Sequence, residues 1–429
     1  MLDIELFRKN LEDIIESERK RFKETSNAEK VLEYDIKWRN ILQELEDLRK
    51  ERNEISIKIG EFKKSGNKKK AAESIANSKR IKDKIEELEK LKVEYLELRE
   101  KYRYKVGNIL HESVPTGQTD EDNEILRTVG SLPKFDFKPL SHVDLVSKIG
   151  GVDTKKASEL VGSRFYYLKG DLVFLNLALL KFALDRLIEK NYIPIWPPYF
   201  TKYEVMKAAA ELTDFEEQLY KIQDEDLYMI ATSEQTLAAY HYDEIIEPEK
   251  LPIKYAGISS CFRREAGSHG KDTLGIFRVH RFEKVEQFIF SKPEESWIFF
   301  EELINNAEEL YKELKIPYRI ANIASGELND NAAKKYDLEA WFPASETYRE
   351  LVSCSNCLDY QARKLKIRMG IVGSQQAKEV PHTLNSTAIA TERTICCILE
   401  NYQNKDHSIT IPEALQKYMN GKKIIKPIK

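Results

Sequence analysis

The densest group of chemically capable side chains lies in residues 259–288, where two strand-like runs flank a loop rich in glycine and charge. Arg263, Arg264 and Glu265 stand at the start of that loop. A planar guanidinium group can bind two phosphate oxygens at once, and a carboxylate can accept a hydrogen bond from an exocyclic amine. The cluster therefore indicates an anion or nucleotide site, although an exposed hairpin with ordinary salt bridges has the same composition.

Several common catalytic signatures are absent from the sequence. It contains no Walker glycine–lysine loop, no dinucleotide-binding glycine fingerprint, no zinc-protease histidine pair and no Gly-x-Ser-x-Gly elbow. Cys354 and Cys357 have the spacing of a zinc knuckle, but no second cysteine pair shares that spacing. Cys396 and Cys397 are adjacent and would point about 100° apart on a helix. We therefore expect no structural zinc.

The first hundred residues predict a long helical element ahead of this chemistry. No proline occurs before Pro115, and apolar heptad seams run through residues 38–62 and 81–102. A lysine-rich turn at 63–70 joins the seams, which predicts an antiparallel hairpin. Residues 34–106 contain 21 lysines and arginines against 15 acidic residues, a local charge of +6. A dimerisation coil or spacer is the simplest interpretation, and the basic charge adds a polyanion partner as an alternative.

The remainder of the chain predicts a mixed domain. Gly, Pro, Asp and Ser cluster after Gly107, which indicates a linker, and helical and strand-like stretches alternate from about Leu140 onward. The predicted division is an N-terminal helical domain at 1–110, a linker at 111–140 and an α+β domain at 141–429.

Composition excludes two broad classes of protein. The 429-residue chain is 41% hydrophobic with a net charge of −3, which is unlike a disordered protein. No uncharged apolar stretch reaches the length of a membrane span, and the N-terminus is charged from Asp3, unlike a signal peptide. We therefore expect a cytoplasmic protein.

These residues also carry a resemblance to a known family. Phe262-Arg263-x-Glu265 resembles motif 2 of the class II aminoacyl-tRNA synthetases, and residues 277–287 resemble the seryl-tRNA synthetases in particular. Other segments follow in the family's order: motif 1 at 191–198, the serine-binding TSE loop at 231–235, a signature strand at 350–363 and motif 3 at 383–394. Asn191, Ala388 and Ala390 replace glycines usual in motifs 1 and 3, which fits the archaeal and eukaryotic branch.

The resemblance covers essentially the whole chain and implies a fold and an activity. The implied fold is α+β: an antiparallel coiled-coil hairpin arm, then a catalytic domain on a mixed, mainly antiparallel sheet flanked by helices. The implied enzyme activates L-serine with ATP to seryl-adenylate. It then transfers the seryl group to tRNA(Ser), and tRNA(Sec) is a further candidate. The arm would bind tRNA, and motif 1, with Pro198, would form a homodimer.

The family also implies roles for individual residues. Arg263 would hold the α-phosphate, Glu265 would read the adenine amino group, and Phe282 would stack on adenine opposite Arg393. These roles make Arg263, Glu265 and Arg393 the catalytic set. The ATP-binding set is Arg263, Arg264, Glu265, Val279, Phe282, Glu350, Leu351, Val352, Ser353 and Arg393. The serine-binding set is Thr232, Ser233, Glu234, Arg263, Glu286, Asn385 and Thr387. Glu350 and Ser353 would bind Mg²⁺ together with ATP.

Two alternative functions stay open from the sequence. One is a class II synthetase for another small amino acid, and the other is a synthetase-like tRNA-binding protein without catalysis. A non-catalytic relative would predict erosion of the motif residues, and Arg263, Glu265, Glu350 and Arg393 are all present. For His269 and His280, a surface or packing role is the expectation.

Overall fold

The computed structural model describes residues 1–209, 217–265, 274–371, 373–374 and 379–428. The chain divides into two compact units, Leu2–Ile109 and Leu110–Lys429, with Met1 assigned to the second. Each unit has its own core, and each is described separately below.

The helices are numbered in chain order. The first unit contains α1 Ile4–Lys9, α2 Leu11–Lys20, α3 Ser26–Lys64 and α4 Lys68–Arg103. The second unit contains α5 His142–Lys148, α6 Thr154–Leu160, α7 Asp171–Glu189, α8 Tyr203–Ala209, α9 Glu234–Ala238, α10 Ser296–Glu313, α11 Tyr360–Lys364, α12 Thr391–Asn401 and α13 Glu413–Gln416. Short 3₁₀ turns lie at Asp120–Asp122, Ala239–His241, Pro248–Lys250, Pro293–Glu295 and Lys417–Met419. No described helix is both long enough and apolar enough to cross a membrane.

The first unit is a helical hairpin, which confirms the predicted arm. Helices α3 and α4 pack along each other, and the buried apolar residues between them are Ile41, Leu45, Ile55, Ile81, Ile85 and Leu88. At the tip, Gly66 has a φ of +74°, a conformation that L side chains rarely adopt. Asn67 then caps α4 by accepting a hydrogen bond from the Lys70 amide at 3.2 Å.

A buried carboxylate holds the base of the hairpin. The Asp35 side chain is fully buried and accepts hydrogen bonds from Arg8 at 2.8 and 2.9 Å, Arg39 at 3.0 Å and Arg99 at 3.0 Å. Burial alone would raise the pKa of Asp35, but Arg8 and Arg99 together lower it below its usual value. The base of the arm therefore depends on charge as well as on apolar packing.

The second unit is built on an eight-stranded sheet, as the α+β prediction requires. Its strands are β1 Glu124–Val129, β2 Ile193–Ile195, β3 Ile253–Phe262, β4 Arg281–Ser291, β5 Tyr318–Asn322, β6 Lys334–Phe342, β7 Thr347–Asn356 and β8 His382–Ala390. Their order is β1-β5-β6-β7-β8-β4-β3-β2. The β2–β3 pair is parallel and the other pairs are antiparallel. Smaller two-stranded pairs are Val152–Asp153 with Tyr167–Leu168, Phe200–Thr201 with Tyr228–Met229, Ile245–Ile246 with Arg368–Met369, and Ile409–Thr410 with Ile424–Ile425.

Strand alternation gives the sheet two different faces. On β6 and β7, Leu338 and Val352 belong to the large apolar core that also contains residues of α7, α10 and α12. Their neighbours Asp337 and Ser353 point to the opposite face, because successive side chains of a strand alternate. Helices α7, α10 and α12 therefore cover one face. The other face carries polar residues on β6 and β7, whereas on β4 it packs Phe288 and Phe290 against α8, α9 and α11.

The segment predicted as a linker contributes a strand to this sheet. Within 111–140, β1 pairs with β5 at the edge of the sheet, with an irregularity between Ile125 and Arg127. Ile125 and Leu126 are exposed, so β1 has no clear apolar alternation. Only the backbone pairing with β5 identifies β1 as a strand. The turn-rich sequence on either side of β1 does not predict that pairing.

Candidate functional site

The polar face of the sheet forms a cleft with an empty volume of about 1080 Å³, which includes space open to solvent. Predicted site residues from four separate motifs meet there. They are Thr232, Glu234, Arg263, Glu265, Val279, Phe282, Glu286, Glu350, Leu351, Ser353, Asn385, Thr387 and Arg393. The structure thus brings residues that are up to 161 positions apart in the chain into one cavity.

Three predicted site residues lie outside the lining of the cleft. Val352 is fully buried in the core on the helix side of β7, since it alternates with Ser353. Ser233 is fully buried, and its Oγ lies 3.5 Å from the Gly257 carbonyl oxygen. Arg264 is exposed, and its amide donates to the Gln218 carbonyl oxygen at 2.8 Å.

One end of the cleft is a small, enclosed polar pocket between β4 and β8. Strand register places Thr387 opposite Glu286, and the Thr387 hydroxyl donates to Glu286 Oε2 at 3.4 Å. Glu234, at the start of α9, accepts hydrogen bonds from the side-chain amides of Asn385 and Gln361, both at 3.1 Å. Two carboxylates therefore lie in the same pocket, and the donors named for Glu234 are neutral amides.

Lys284 is the buried cation of this pocket, and the sequence analysis assigned it no role. Its ammonium group pairs with Glu286 and donates to the Thr232 hydroxyl at 2.8 Å. The Lys284 side chain is 8% exposed and that of Glu286 is 2% exposed, so the pair lies away from bulk water. Lys284 and Glu286 are two residues apart on β4, and this spacing places them on one face of the strand.

The two pocket carboxylates have raised pKa values. Burial and the negative charge of Glu286 raise the pKa of Glu234 to about 7, against the opposing effect of Lys284. Burial also raises the pKa of Glu286, although Lys284 and Arg263 act in the other direction. Glu234 is therefore poised to change charge near neutral pH.

Arg263 lies at the junction between this pocket and the rest of the cleft. Its guanidinium group donates to the Ala231 carbonyl oxygen at 3.3 Å and lies 5.1 Å from the Phe282 ring centroid. Its backbone amide is fixed by the His280 carbonyl oxygen at 2.9 Å, and His280 Nδ1 lies 2.8 Å from the Arg263 carbonyl oxygen. His280 thus has the packing role that was expected.

Glu265 is the last described residue of the motif 2 segment before residue 266. It has a φ of +51°, and its carboxylate lies 3.7 Å from Arg278 Nε. Residues 266–273, which include His269, lie outside the described residues.

The other end of the cleft is more open and carries Glu350, Ser353 and Arg393. Arg393 Nη1 lies 3.3 Å from Glu350 Oε2 and donates to the Glu350 carbonyl oxygen at 3.1 Å. Burial would raise the pKa of Glu350, but the charges of Arg393, Lys335 and Arg263 lower it. Arg393 lies 5.1 Å from the ring centroid of Phe277, whereas Arg263 lies over Phe282. Phe282 and Arg393 line the same cleft without covering each other.

Further lining residues were missed by the sequence analysis. They are Ala209, Gln235, Phe277, Arg278, Lys284, Asn329, Asn331, Ser355, Ala390 and Glu392. Alternation along β4 and β7 could have found Lys284 and Ser355. Nothing in the sequence points to Asn329 and Asn331, because they lie in a loop between β5 and β6. Of the two alanines noted in motif 3, Ala390 lines the cleft and Ala388 belongs to the core.

The side-chain oxygen atoms that line the cleft are the groups there that could bind a metal ion. The Glu350 carboxylate and the Ser353 hydroxyl are of the type that Mg²⁺ binds. Among the described residues, no group of three His, Cys, Asp or Glu side chains is placed to hold an ion by itself. All five cysteines are buried, and none of them forms a disulfide.

Two family models match the chain. The model described as "Seryl-tRNA synthetase N-terminal domain" matches residues 1–110. The model described as "tRNA synthetase class II core domain (G, H, P, S and T)" matches residues 217–402, the part that supplies most of the cleft.

Individual relatives match over the full length. A serine–tRNA ligase of Methanosphaera stadtmanae is 58% identical over 425 residues, covering 99% of each chain. The structure of seryl-tRNA synthetase from Pyrococcus horikoshii complexed with ATP matches with a TM-score of 0.96 and 45% identity, covering 100% of both chains. That of the cytoplasmic serine–tRNA ligase from Naegleria fowleri in complex with AMP has a TM-score of 0.90 and 42% identity, covering 100% of this chain and 99% of the other.

Proposed function

The chain belongs to the seryl-tRNA synthetase family, and from that premise we propose that its cleft activates L-serine with ATP and passes the seryl group to tRNA. The observation that carries the proposal is the enclosed pocket of Glu234, Glu286 and Thr387 at one end of the cleft, joined through Arg263 to the open end. The pocket has the size and polarity for a small hydroxy amino acid, and the open end has the charges for a nucleotide.

Glu234 binds the serine ammonium group in this proposal. Among the described residues, its carboxylate accepts hydrogen bonds from the neutral side-chain amides of Asn385 and Gln361, whereas Glu286 is already paired with Lys284. A carboxylate without a protein cation at hydrogen-bond distance is the better partner for a substrate cation. The Thr232 hydroxyl lies beside it, 3.2 Å from the Glu234 amide.

Glu286 and Thr387 then bind the serine hydroxyl. Glu286 is an acceptor that is 2% exposed, and Thr387 supplies a hydroxyl that can donate or accept. An amino acid without a hydroxyl, such as alanine, would leave these buried groups unpaired. A site that hydrogen-bonds a substrate hydroxyl rejects such analogues for that reason.

Arg263 and Arg393 stabilise the ATP phosphates at the open end. Arg263 lies between the serine pocket and the nucleotide side, so it can hold the α-phosphate next to the attacking serine carboxylate. Negative charge on the reacting phosphate is then met by fixed cations, and both reactants are held in one orientation. No protein nucleophile is needed for this step.

Glu350 and Ser353 hold Mg²⁺ with ATP. Their oxygens fit a hard cation. A nearby buried carboxylate oxygen, Asp337 Oδ1, has no hydrogen-bond partner among the residues that the structure describes. When bound, the ion neutralises phosphate charge. The residues of this chain orient ATP toward the pocket.

The helical arm binds tRNA through its lysines. The tip segment 63–70 is lysine-rich, and each phosphate that a lysine neutralises releases counterions. In this proposal residues 1–110 form the tRNA-binding domain, 141–429 the catalytic domain, and 111–140 connects them. tRNA(Ser) is the primary partner, and tRNA(Sec) is a second substrate to be tested.

A homodimer forms through motif 1 at 191–198, which contains β2 and Pro198, together with the preceding helix α7. Phe174 and Leu177 on α7 are 52% and 55% exposed, and Ile193 and Trp196 are 54% and 70% exposed. A cluster of large apolar side chains on one surface indicates an interface. A cytoplasmic location completes this proposal, and the relative from Naegleria fowleri is likewise described as a cytoplasmic serine–tRNA ligase.

Serine-dependent ATP–pyrophosphate exchange with Mg²⁺ tests the central proposal, with threonine, alanine, proline and glycine as comparison substrates. We expect exchange with serine and at least a hundredfold less with alanine. Exchange with another amino acid alone would keep the synthetase class and refute the pocket assignment. Folded protein with no exchange for any of the five would favour a tRNA-binding protein without catalysis.

A further inference from the structure

Asp337 is a buried acidic residue beside the cleft to which no role has been assigned. It lies on β6, and strand register places it directly opposite Ser353 on β7, whose side chain lines the cleft. Asp337 is 7% exposed, and within the described part of the chain its Oδ1 atom has no hydrogen-bond partner. A buried carboxylate oxygen without a partner is costly, so its retention calls for a functional reason.

The side chain of Asp337 points to the polar face of the sheet. Tyr336 and Leu338, its neighbours on β6, belong to the apolar core on the other face. Lys335, Asp337 and Glu339 therefore share the cleft face with Ser353 and Glu350. This geometry aims Asp337 at the two residues that are proposed to hold the metal.

The charged groups around Asp337 are already engaged or more distant. Glu339 is paired with Arg319 at 2.5 Å, and Glu350 with Arg393 at 3.3 Å. Lys335 donates to the Glu327 carbonyl oxygen at 3.4 Å. Register places Ser353 directly opposite Asp337, and a hydrogen bond from Ser353 acts to lower the pKa of Asp337, which burial raises to about 7. Asp337 therefore acts on Ser353 more directly than on any other polar group near it.

We propose that Asp337 is a positioning residue for the divalent cation, which accepts the hydroxyl proton of Ser353 and so turns the lone pairs of that hydroxyl toward the ion. A serine hydroxyl has one proton and two lone pairs, and a cation can bind it only from the lone-pair side. Partners that orient the ligands of a metal in this way strongly affect its affinity. With the ion bound, the Oδ1 atom of Asp337 would be available to accept a hydrogen bond from a water.

The inference rests on the proposed Mg²⁺–ATP site, and it predicts a property of the protein that can be measured without turnover. The probe is Mn²⁺, whose binding is followed by electron paramagnetic resonance in the presence of ATP and without serine. We expect Asp337→Asn to weaken Mn²⁺ binding about 10- to 100-fold, because the amide can donate to Ser353 and reverse the orientation of its hydroxyl. The Mg²⁺ concentration for half-maximal exchange should rise by the same factor.

Glu339→Gln is the matched control, since it removes a carboxylate from the same face of the same strand, two residues away. Equal weakening of Mn²⁺ binding by both variants would mean a general field effect and would overturn the proposal. Wild-type affinity in a folded Asp337→Asn protein would overturn it as well. When Ser353 is already replaced by alanine, Asp337→Asn should weaken Mn²⁺ binding little further. Fully additive losses of Mn²⁺ affinity in the double variant would contradict an action through Ser353.

The proposed function and the role of Asp337 are tested by two different measurements. Serine-dependent exchange by the wild-type protein tests that function, and Mn²⁺ binding tests the role of Asp337. A wild-type protein that exchanges normally while Asp337→Asn binds Mn²⁺ normally would reject only this inference. A wild-type protein that does not exchange would reject the function on its own evidence.

Discussion

Glu234 gives the most direct test of the serine pocket, because its charge changes near neutral pH. Its pKa is raised to about 7 by burial and by Glu286. With that value, about a tenth of the free protein carries the carboxylate at pH 6 and about nine tenths at pH 8. If the carboxylate binds the serine ammonium group, kcat/KM for serine should rise roughly tenfold between these pH values. This profile reports the free enzyme, whereas kcat reports the serine complex and should change less.

The perturbation is Glu234→Gln, which keeps the shape of the side chain and removes its charge. We expect kcat/KM for serine to fall by about 10- to 100-fold at pH 8, the effect of losing a hydrogen bond to a charged group. The rise between pH 6 and 8 should also disappear. Glu244→Gln, a change of the same type on an exposed carboxylate, is the control for charge alone.

The same substitution should change stability in the opposite direction. Because the pKa of Glu234 is higher in the folded protein than its usual value of 4.5, protonation of this group stabilises the folded state. This contribution to the free energy of unfolding is complete below pH 4.5 and is lost as the pH rises through about 7. The difference corresponds to about 3 kcal/mol. Glu234→Gln should therefore be more stable than the wild type at pH 8 and closer to it at pH 5, as measured by urea unfolding. A wild-type kcat/KM that is flat from pH 6 to 8, or the same rise in Glu234→Gln, would refute this reasoning.

Three further changes test other parts of the chain. Asp35→Ala should cost about 3–5 kcal/mol of arm stability, because Arg8 and its neighbours lose their buried partner; denaturation of the full chain measures the loss. The wild-type contribution of Asp35 should itself fade as pH drops below its usual pKa of 3.8. Thr387→Val should lower kcat/KM for serine about tenfold and reduce discrimination against alanine in exchange, since Glu286 loses a donor. Replacing lysines 68–70 by glutamine should weaken tRNA binding and flatten its salt dependence while leaving exchange unchanged, as filter binding at several salt concentrations would reveal.

The sequence predicted elements with strong periodicity well. The arm followed from the seams through 38–62 and 81–102, because apolar spacing alone specifies which faces of two helices meet. The edge strand β1 could not be predicted in this way. Its pairing with β5 joins segments that lie far apart in the chain, and Ile125 and Leu126 show no alternation of burial.

For the cleft, the resemblance located the motifs but not the direction of each side chain. Val352 was grouped with Ser353 because the two are neighbours, yet alternation along β7 places Val352 in the core. Lys284 was passed over although its spacing from Glu286 places both in the cleft. Motif matching reads consecutive residues, whereas a strand presents every second residue to one face. Adding that period to the motif would have predicted the direction of both side chains.

The two ends of the cleft differ in burial, and this difference suits their tasks. In the serine pocket, Lys284 and Glu286 are 8% and 2% exposed, so an unpaired polar group there carries a large penalty. In the proposed function, that penalty would separate serine from alanine, which differ by a single hydroxyl. At the nucleotide end, Arg393 and Glu350 are 21% and 46% exposed, so water and ions have access to the phosphate-binding charges. Changes in the pocket should therefore alter specificity and stability together. Changes at the nucleotide end should mainly alter affinity, because exposed charges contribute little to folding.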